Sequence, residues 1–168
     1  LAITVLCVAD LALVVRSILF VCSGNICRSP TAEGLVRIHA ERAGLPLVLD
    51  SAGTHGFHVG EPPDPRTRAV ARARGTPLDH LRAREVCSAD FNDFELILAA
   101  DRSHLRELER RRPRGATAAV ELLLPWCGID NPDEVPDPYY GPYEGFEAVY
   151  DLLDRAARRL VERLRSGG

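Results

Sequence analysis

Cys22 and Arg28 stand at the two ends of a short run, Cys-Ser-Gly-Asn-Ile-Cys-Arg-Ser, residues 22–29. A thiol, a guanidinium and a Gly-Asn pair at this spacing suit attack on a phosphate. Backbone N–H groups at a helix start have no partners within the helix and bind anions. Successive N–H groups that converge in a loop form a concave anion site. Gly24 and Asn25 are the residue types that take positive φ at least cost. Ser23 to Ser29, including Ile26 and Cys27, would then supply the amides around a phosphate, and Arg28 a planar fork for two of its oxygens. Cys22 would lie at the floor. A free thiol is only a few per cent ionised at pH 7. The amides, the helix dipole and Arg28 all favour its anion, the form that attacks phosphorus to give a cysteinyl phosphate, which water then hydrolyses.

A carboxyl is needed to finish this chemistry. A phenolate leaving group has a conjugate acid with pKa near 10, so P–O cleavage at pH 7 gains from a proton donor. Residues 135–141 read Val-Pro-Asp-Pro-Tyr-Tyr-Gly. Asp137, stiffened by a proline on each side, is the candidate donor. Asp130 and Asp133 are rivals in the same loop. Tyr139 and Tyr140 could wall a slot, although paired tyrosines also occur as plain surface packing.

The elements that must position these groups are legible as alternating apolar strands and amphipathic helices. Strands are expected at 17–22, 46–51, 94–99 and 118–124. Helices are expected at 30–43, from Asp64-Pro65 onward, near Ser88-Ala89-Asp90, at 102–111 behind an Asp101 cap, and at 143–165. Pro30 falls in a first turn, where its missing N–H costs nothing. Asp151–Arg155 and Asp154–Arg158 are spaced as i,i+4 pairs on the wet side of the last helix. His39 lies among core positions of its helix and reads as a satisfied, half-buried histidine. The alternation implies a parallel sheet with right-handed crossovers. Ligands bind beyond the carboxyl ends of such strands, so segments 22–29, 52–63 and 125–142 should meet at one edge. The last of these is long and rich in Pro, Asp and Tyr, which favours a functional loop.

With 168 residues the chain fits one domain. Its net charge is −3, and all 21 basic residues are arginine. No basic stripe with interleaved aromatics supports nucleic-acid binding, and no nucleotide-loop string is present. The five cysteines lack zinc or disulfide-scaffold spacing, which points to a reducing cytoplasm. The chemistry asks for no cofactor and no metal. Residues 1–16 are apolar but carry Asp10. They read as an extension outside the fold unit rather than as an extra strand or a membrane anchor.

Over residues 17–165 the chain resembles the low-molecular-weight protein tyrosine phosphatases. The resemblance rests on VCSGNICRSPTAE, SAGTHGFHVGEPPDPR, LILAADRSHL and DPYYG, in that order. It implies an α/β fold in three layers, with a four-stranded parallel sheet of order 2-1-3-4 flanked by helices. It implies hydrolysis of phosphotyrosine with Cys22 as nucleophile, Arg28 as phosphate clamp and Asp137 as general acid. Ser29 would hydrogen-bond the sulfur. Asn25 would hold the loop, braced by Ser51 and His80. Cys27 would be a redox partner able to form a disulfide with Cys22. Phe57, Tyr139 and Tyr140 would line the slot. The implied partners are a tyrosine-phosphorylated protein and a cognate tyrosine kinase. Phe57 stands where the family usually has Trp, and His104 where Asn is common.

Three other functions fit less well. Arsenate reductases of this fold need two further cysteines near the end of the third strand, where this chain has Ala99-Ala100-Asp101. Arginine phosphatases of this fold tend to have Thr at the position of Ile26 and to lack the paired tyrosines. A non-catalytic phosphoprotein-binding module would normally lose Cys22, Arg28 or Asp137.

Overall fold

The computed structural model describes residues 14–167. The expectation for the apolar segment 1–16 therefore lies almost wholly outside the described residues. Four strands, β1 (Ser17–Cys22), β2 (Val48–Gly53), β3 (Leu96–Ala99) and β4 (Ala119–Leu122), form one parallel sheet in the order β2-β1-β3-β4. Six helices accompany them among these residues: α1 (Arg28–Arg42), α2 (Pro65–Ala73), α3 (Asp90–Asp93), α4 (Arg102–Arg111), α5 (Leu123–Trp126) and α6 (Tyr143–Arg165).

The alternation of side chains along β1 divides the core in two. Ile18, Phe20 and Cys22 face one cluster with Leu35 and Val36 of α1, Val70 of α2, Leu124 of α5 and Leu153 and Leu160 of α6. Leu19 and Val21 face the other, with Phe91 of α3 and Leu108 of α4. All these side chains are buried. A strand covered on both faces reads as an unbroken apolar run, as Ile18–Val21 does.

Register brings the chemistry to one edge. Cys22 pairs with Gly53, and Val21 pairs with both Ala52 and Ala99. β2, β1 and β3 thus end within one residue of each other, and their following loops share one rim. At Gly53 a Cβ would come 2.5 Å from the Ser23 carbonyl oxygen, so this close approach requires glycine.

Some boundaries differ from expectation. β2 begins and ends two residues later, because its pairing runs on to Gly53 opposite Cys22. The apolar run 118–124 splits into β4 and the short helix α5. Continuous apolar runs do not separate strand from buried helix by pattern alone. In α6 the Asp154–Arg158 pair forms at 2.8 Å, but Asp151 pairs with Arg74 of the α2 C-cap at 2.6 Å instead of with Arg155. His39 is half-buried and bonded to Asp154, Nε2 to Oδ1 at 2.7 Å. No described helix is long and apolar enough to cross a membrane.

Candidate active site

Cys22 closes β1, and the chain turns through residues 23–27 into α1. The turn is held at Asn25, whose φ of 57° is left-handed. Gly24 is not left-handed; its missing side chain instead makes room for His58, whose Cδ2 would lie 2.9 Å from a Cβ there. Asn25 stays in its strained conformation through three bonds. Its Nδ2 donates to Ser29 Oγ and to Ser51 Oγ, both at 2.9 Å, and its Oδ1 accepts from the Arg84 N–H at 3.0 Å. Ser51 in turn donates to Glu33 Oε2 at 2.7 Å, and Arg37 donates to Glu33 Oε1 at 2.8 Å. Arg84 is gripped by Asp50 and Asp90. His80 is exposed and outside this network. The brace expected from it comes from buried Glu33 and the backbone of Arg84. Both were missed because neither looks unusual in sequence: Glu33 reads as a helix-surface acid and Arg84 as a loop arginine.

The network points at the sulfur. Ser29 Oγ lies 3.0 Å from Cys22 Sγ and already accepts the Asn25 amide. Its own hydrogen is therefore available to the sulfur, the Ala52 carbonyl at 3.4 Å being the more distant acceptor. The first turn of α1 adds unpaired N–H groups. Its N-cap, Cys27, makes no side-chain cap bond, and the first turn holds no acidic residue. By contrast, Asp64 caps α2 and Asp101 caps α4.

Arg28 is buried, and four groups fix its guanidinium. Nη1 donates to Asp101 Oδ2 at 2.8 Å and to the Val135 carbonyl at 3.2 Å. Nη2 donates to Ser23 Oγ at 3.3 Å and to Asp137 Oδ2 at 3.4 Å. Burial pushes the Asp101 carboxyl up, but its bonds with Ser103, His104 and Arg28 outweigh this and hold it below the usual carboxylate range. Asp101 was legible only as a helix cap. Its position at the end of β3, on the same rim, was the signal that it could also serve the site.

Asp137 is partly exposed at the pocket mouth. Its Oδ1 accepts the Tyr139 N–H at 3.1 Å, which fixes the turn. The acid loop is tied down by the Val135 N–H donating to the Ala100 carbonyl and by Arg66 donating to the Tyr139 carbonyl. The rivals fall away on position. Asp133 pairs with Arg102, Asp130 is exposed, and neither lines the pocket.

The pocket is lined by Cys22, Ser23, Gly24, Ile26, Cys27 and Arg28 at its base and by Phe57, Tyr139, Tyr140 and Asp137 above. All three slot aromatics expected from the sequence are there. Tyr139 and Tyr140 meet edge to face at 4.9 Å. His55 and His58 also line it and were not anticipated. His55 packs against Phe57 with the ring centroids 4.5 Å apart and the planes tilted by 41°, and burial lowers its pKa. Burial also pushes the Cys27 thiol up to about 12. Cys27 is thus held as a thiol, which leaves Cys22 as the sulfur suited to attack.

The family model described as low molecular weight phosphotyrosine protein phosphatase matches residues 17–167. A low molecular weight phosphotyrosine protein phosphatase of Schizosaccharomyces pombe is 44% identical over 139 residues, covering 81% of this chain and 88% of the relative. A crystal structure of a protein tyrosine phosphatase from Entamoeba histolytica superposes with a TM-score of 0.84 at 38% identity, covering 90% of this chain and 98% of that one. A Drosophila arginine phosphatase superposes at 0.81 with 31% identity, covering 87% and 96%.

Proposed function

Because the chain belongs to the low molecular weight phosphotyrosine protein phosphatases, hydrolases of phosphotyrosine, we propose that it performs this reaction with Cys22, Arg28 and Asp137 as its catalytic residues. The observation that carries this assignment is the convergence of Cys22, Arg28 and Asp137 on one pocket, with Arg28 3.4 Å from Asp137. The dianion sits on the loop amides 23–29 and on Arg28, above Cys22. The Cys22 sulfur forms a bond to phosphorus as the tyrosine oxygen leaves, and Asp137 delivers the proton that this oxygen needs. Ser29 holds the sulfur in line and eases its departure in the second step. Asp137 then takes a proton from the water that attacks the cysteinyl phosphate. Loop charge and Arg28 stabilise the spread negative charge of the transferring group.

Phe57, Tyr139 and Tyr140 sandwich the phenol ring. Phe57 and Tyr140 are largely exposed, 82% and 93%, so they are free to close on a ring. The protein substrate carries phosphotyrosine, and a tyrosine kinase supplies it. A peroxide that oxidises the Cys22 thiolate to a sulfenic acid, and is itself reduced, is answered by Cys27, whose thiol condenses with the sulfenic acid, releases water and leaves a disulfide that reductant can reopen. This redox cycle suits a cytoplasmic setting, where thiols are kept reduced.

The test is parallel turnover of phosphotyrosine and phosphoarginine peptides. Preference for phosphotyrosine is the expected result. Preference for phosphoarginine would move the chain to the chemistry named for its Drosophila neighbour.

A further inference from the structure

Beneath the phosphate loop, four residues close a ring. Asp101 Oδ2 accepts from Arg28 Nη1 at 2.8 Å. Arg28 Nη2 donates to Ser23 Oγ at 3.3 Å. Ser23 Oγ meets His104 Nε2 at 2.8 Å. His104 Nδ1 returns to Asp101, 3.1 Å from Oδ1. The mechanism described above uses Arg28 and the loop amides but gives no task to the Ser23 hydroxyl or to His104. His104 is only 2% exposed and sits in the first turn of α4.

The chemistry of the ring fixes which way its protons point. A helix N-terminus disfavours a cation. The charged and titratable groups around His104 are Asp101 from the start of α4, Arg28 from α1, Asp137 from the acid loop and His55 from the loop after β2. The two carboxylates favour the imidazolium, whereas Arg28 and His55 oppose it. Burial is the largest influence and lowers the His104 pKa to about 4, so the ring is neutral in any ordinary assay. A neutral imidazole has one N–H and one lone pair. Nδ1 lies off the line of a good hydrogen bond to Asp101, yet a bare lone pair 3.1 Å from a carboxylate oxygen would be repelled. The proton therefore belongs on Nδ1, and Nε2 is left as an acceptor.

We propose that His104 is a positioning residue for phosphoryl transfer: it accepts the Ser23 hydroxyl proton at Nε2, which turns the Ser23 oxygen lone pairs toward Arg28 and locks the guanidinium plane. Without that acceptor, the Ser23 hydrogen is free to point at Arg28 Nη2 and repel it. The guanidinium would then keep only its Asp101 side fixed and could tilt out of the plane that matches two phosphate oxygens. The pair is specific to these two side chains, since neither a serine nor a histidine is demanded by the anion site itself.

The proposal rests on the phosphatase reading, and two readouts keep their failures apart. The first is the long-range proton–nitrogen spectrum of the His104 ring at pH 7, assigned by its loss in His104→Gln. Protonated Nδ1 and bare Nε2 are expected. A protonated Nε2 would overturn the proposal, whether or not the protein turns over substrate. The second is kinetics with a phosphotyrosine peptide for Ser23→Ala, His104→Leu, the double variant and His104→Gln. Each of the first two should lower kcat about tenfold, the scale of one hydrogen bond to a charged group lost in the transition state. The double variant should lose no more than either single one. His104→Gln, whose amide oxygen can accept the same proton, should stay within about threefold of the unaltered protein. Multiplying losses in the double variant, or a glutamine no better than leucine, would overturn it. Should His104→Leu fail to fold, the glutamine and Ser23→Ala variants and the spectrum still decide. Inactivity of the unaltered protein on phosphotyrosine would instead refute the function.

Discussion

Asn25 carries the largest burden of any residue in the loop, and its replacement separates two physical contributions. Asn25→Ala removes the bonds to Ser29, Ser51 and the Arg84 N–H, all about 3 Å long. Asn25 is only 2% exposed, so water does not replace those partners easily. Three buried bonds at about 1 kcal/mol each, plus about 1 kcal/mol for alanine at a φ of 57°, give a loss of about 4 kcal/mol. Asn25→Gly loses the same bonds but none of the backbone conformation. It should therefore be about 1 kcal/mol more stable than the alanine variant and still about 3 kcal/mol below the unaltered protein. Urea unfolding at pH 7 measures both differences.

Activity is the more discriminating readout. Glycine permits the loop but does not aim the Ser29 hydroxyl at Cys22, so kcat/KM on an aryl phosphate should fall at least tenfold in both variants. If Asn25→Gly restores both stability and activity, the side-chain network is dispensable and only the backbone matters. If Asn25→Ala unfolds like the unaltered protein, the strain argument is wrong as well.

Four further outcomes are expected. Cys22→Ser should abolish turnover yet still bind phosphate or a phosphopeptide, measured by calorimetry; turnover in that variant would remove Cys22 from its role. Asp137→Ala should slow phenyl phosphate about 100-fold or more but an activated nitrophenyl ester far less, and equal slowing of both esters would argue against a proton donor. Cys27→Ser should keep most activity but recover poorly from peroxide when thiol is added, and unchanged recovery would end the disulfide proposal. Asp101 holds its proton less tightly when folded than when unfolded, so the stability it contributes is present above the unfolded carboxylate pKa of about 3.9 and fades as pH falls through the lower folded value. Urea unfolding of Asp101→Asn should accordingly fall less steeply than that of the unaltered protein as pH drops below about 4.

The elements that frame the loop and the residues at the pocket floor were legible in the sequence because each rests on a local pattern, whereas the sheet order followed only from the family resemblance. Ile18–Val21 is an apolar run with a turn behind it, and the Asp64 and Asp101 caps announce their helices. Side-chain networks between distant segments leave no such pattern. Glu33 meets Ser51 across 18 positions and Ser23 meets His104 across 81. His80 shows the converse: a resemblance transferred a role to a position whose side chain faces solvent in this chain. The split of 118–124 was illegible for a different reason, since Leu122, Leu123 and Leu124 offer no period from which to choose strand or helix.

The end of α1 left without a cap links the stability of this loop to its chemistry. A side-chain cap adds about 1 kcal/mol to a helix, and α2 and α4 both have one. An aspartate at the position of Cys27 would do the same for α1. It would also put a fixed negative charge beside the place a phosphate dianion must enter and occupy an amide that the dianion needs. The chain forgoes that cap, so the loop must be made rigid from outside. Asn25 does this through Ser51, Glu33 and Arg84, none of which lines the pocket. The strain at Asn25 and the open amides of α1 are therefore two parts of one arrangement: anion-binding groups can stay unpaired only where another network holds the backbone that carries them.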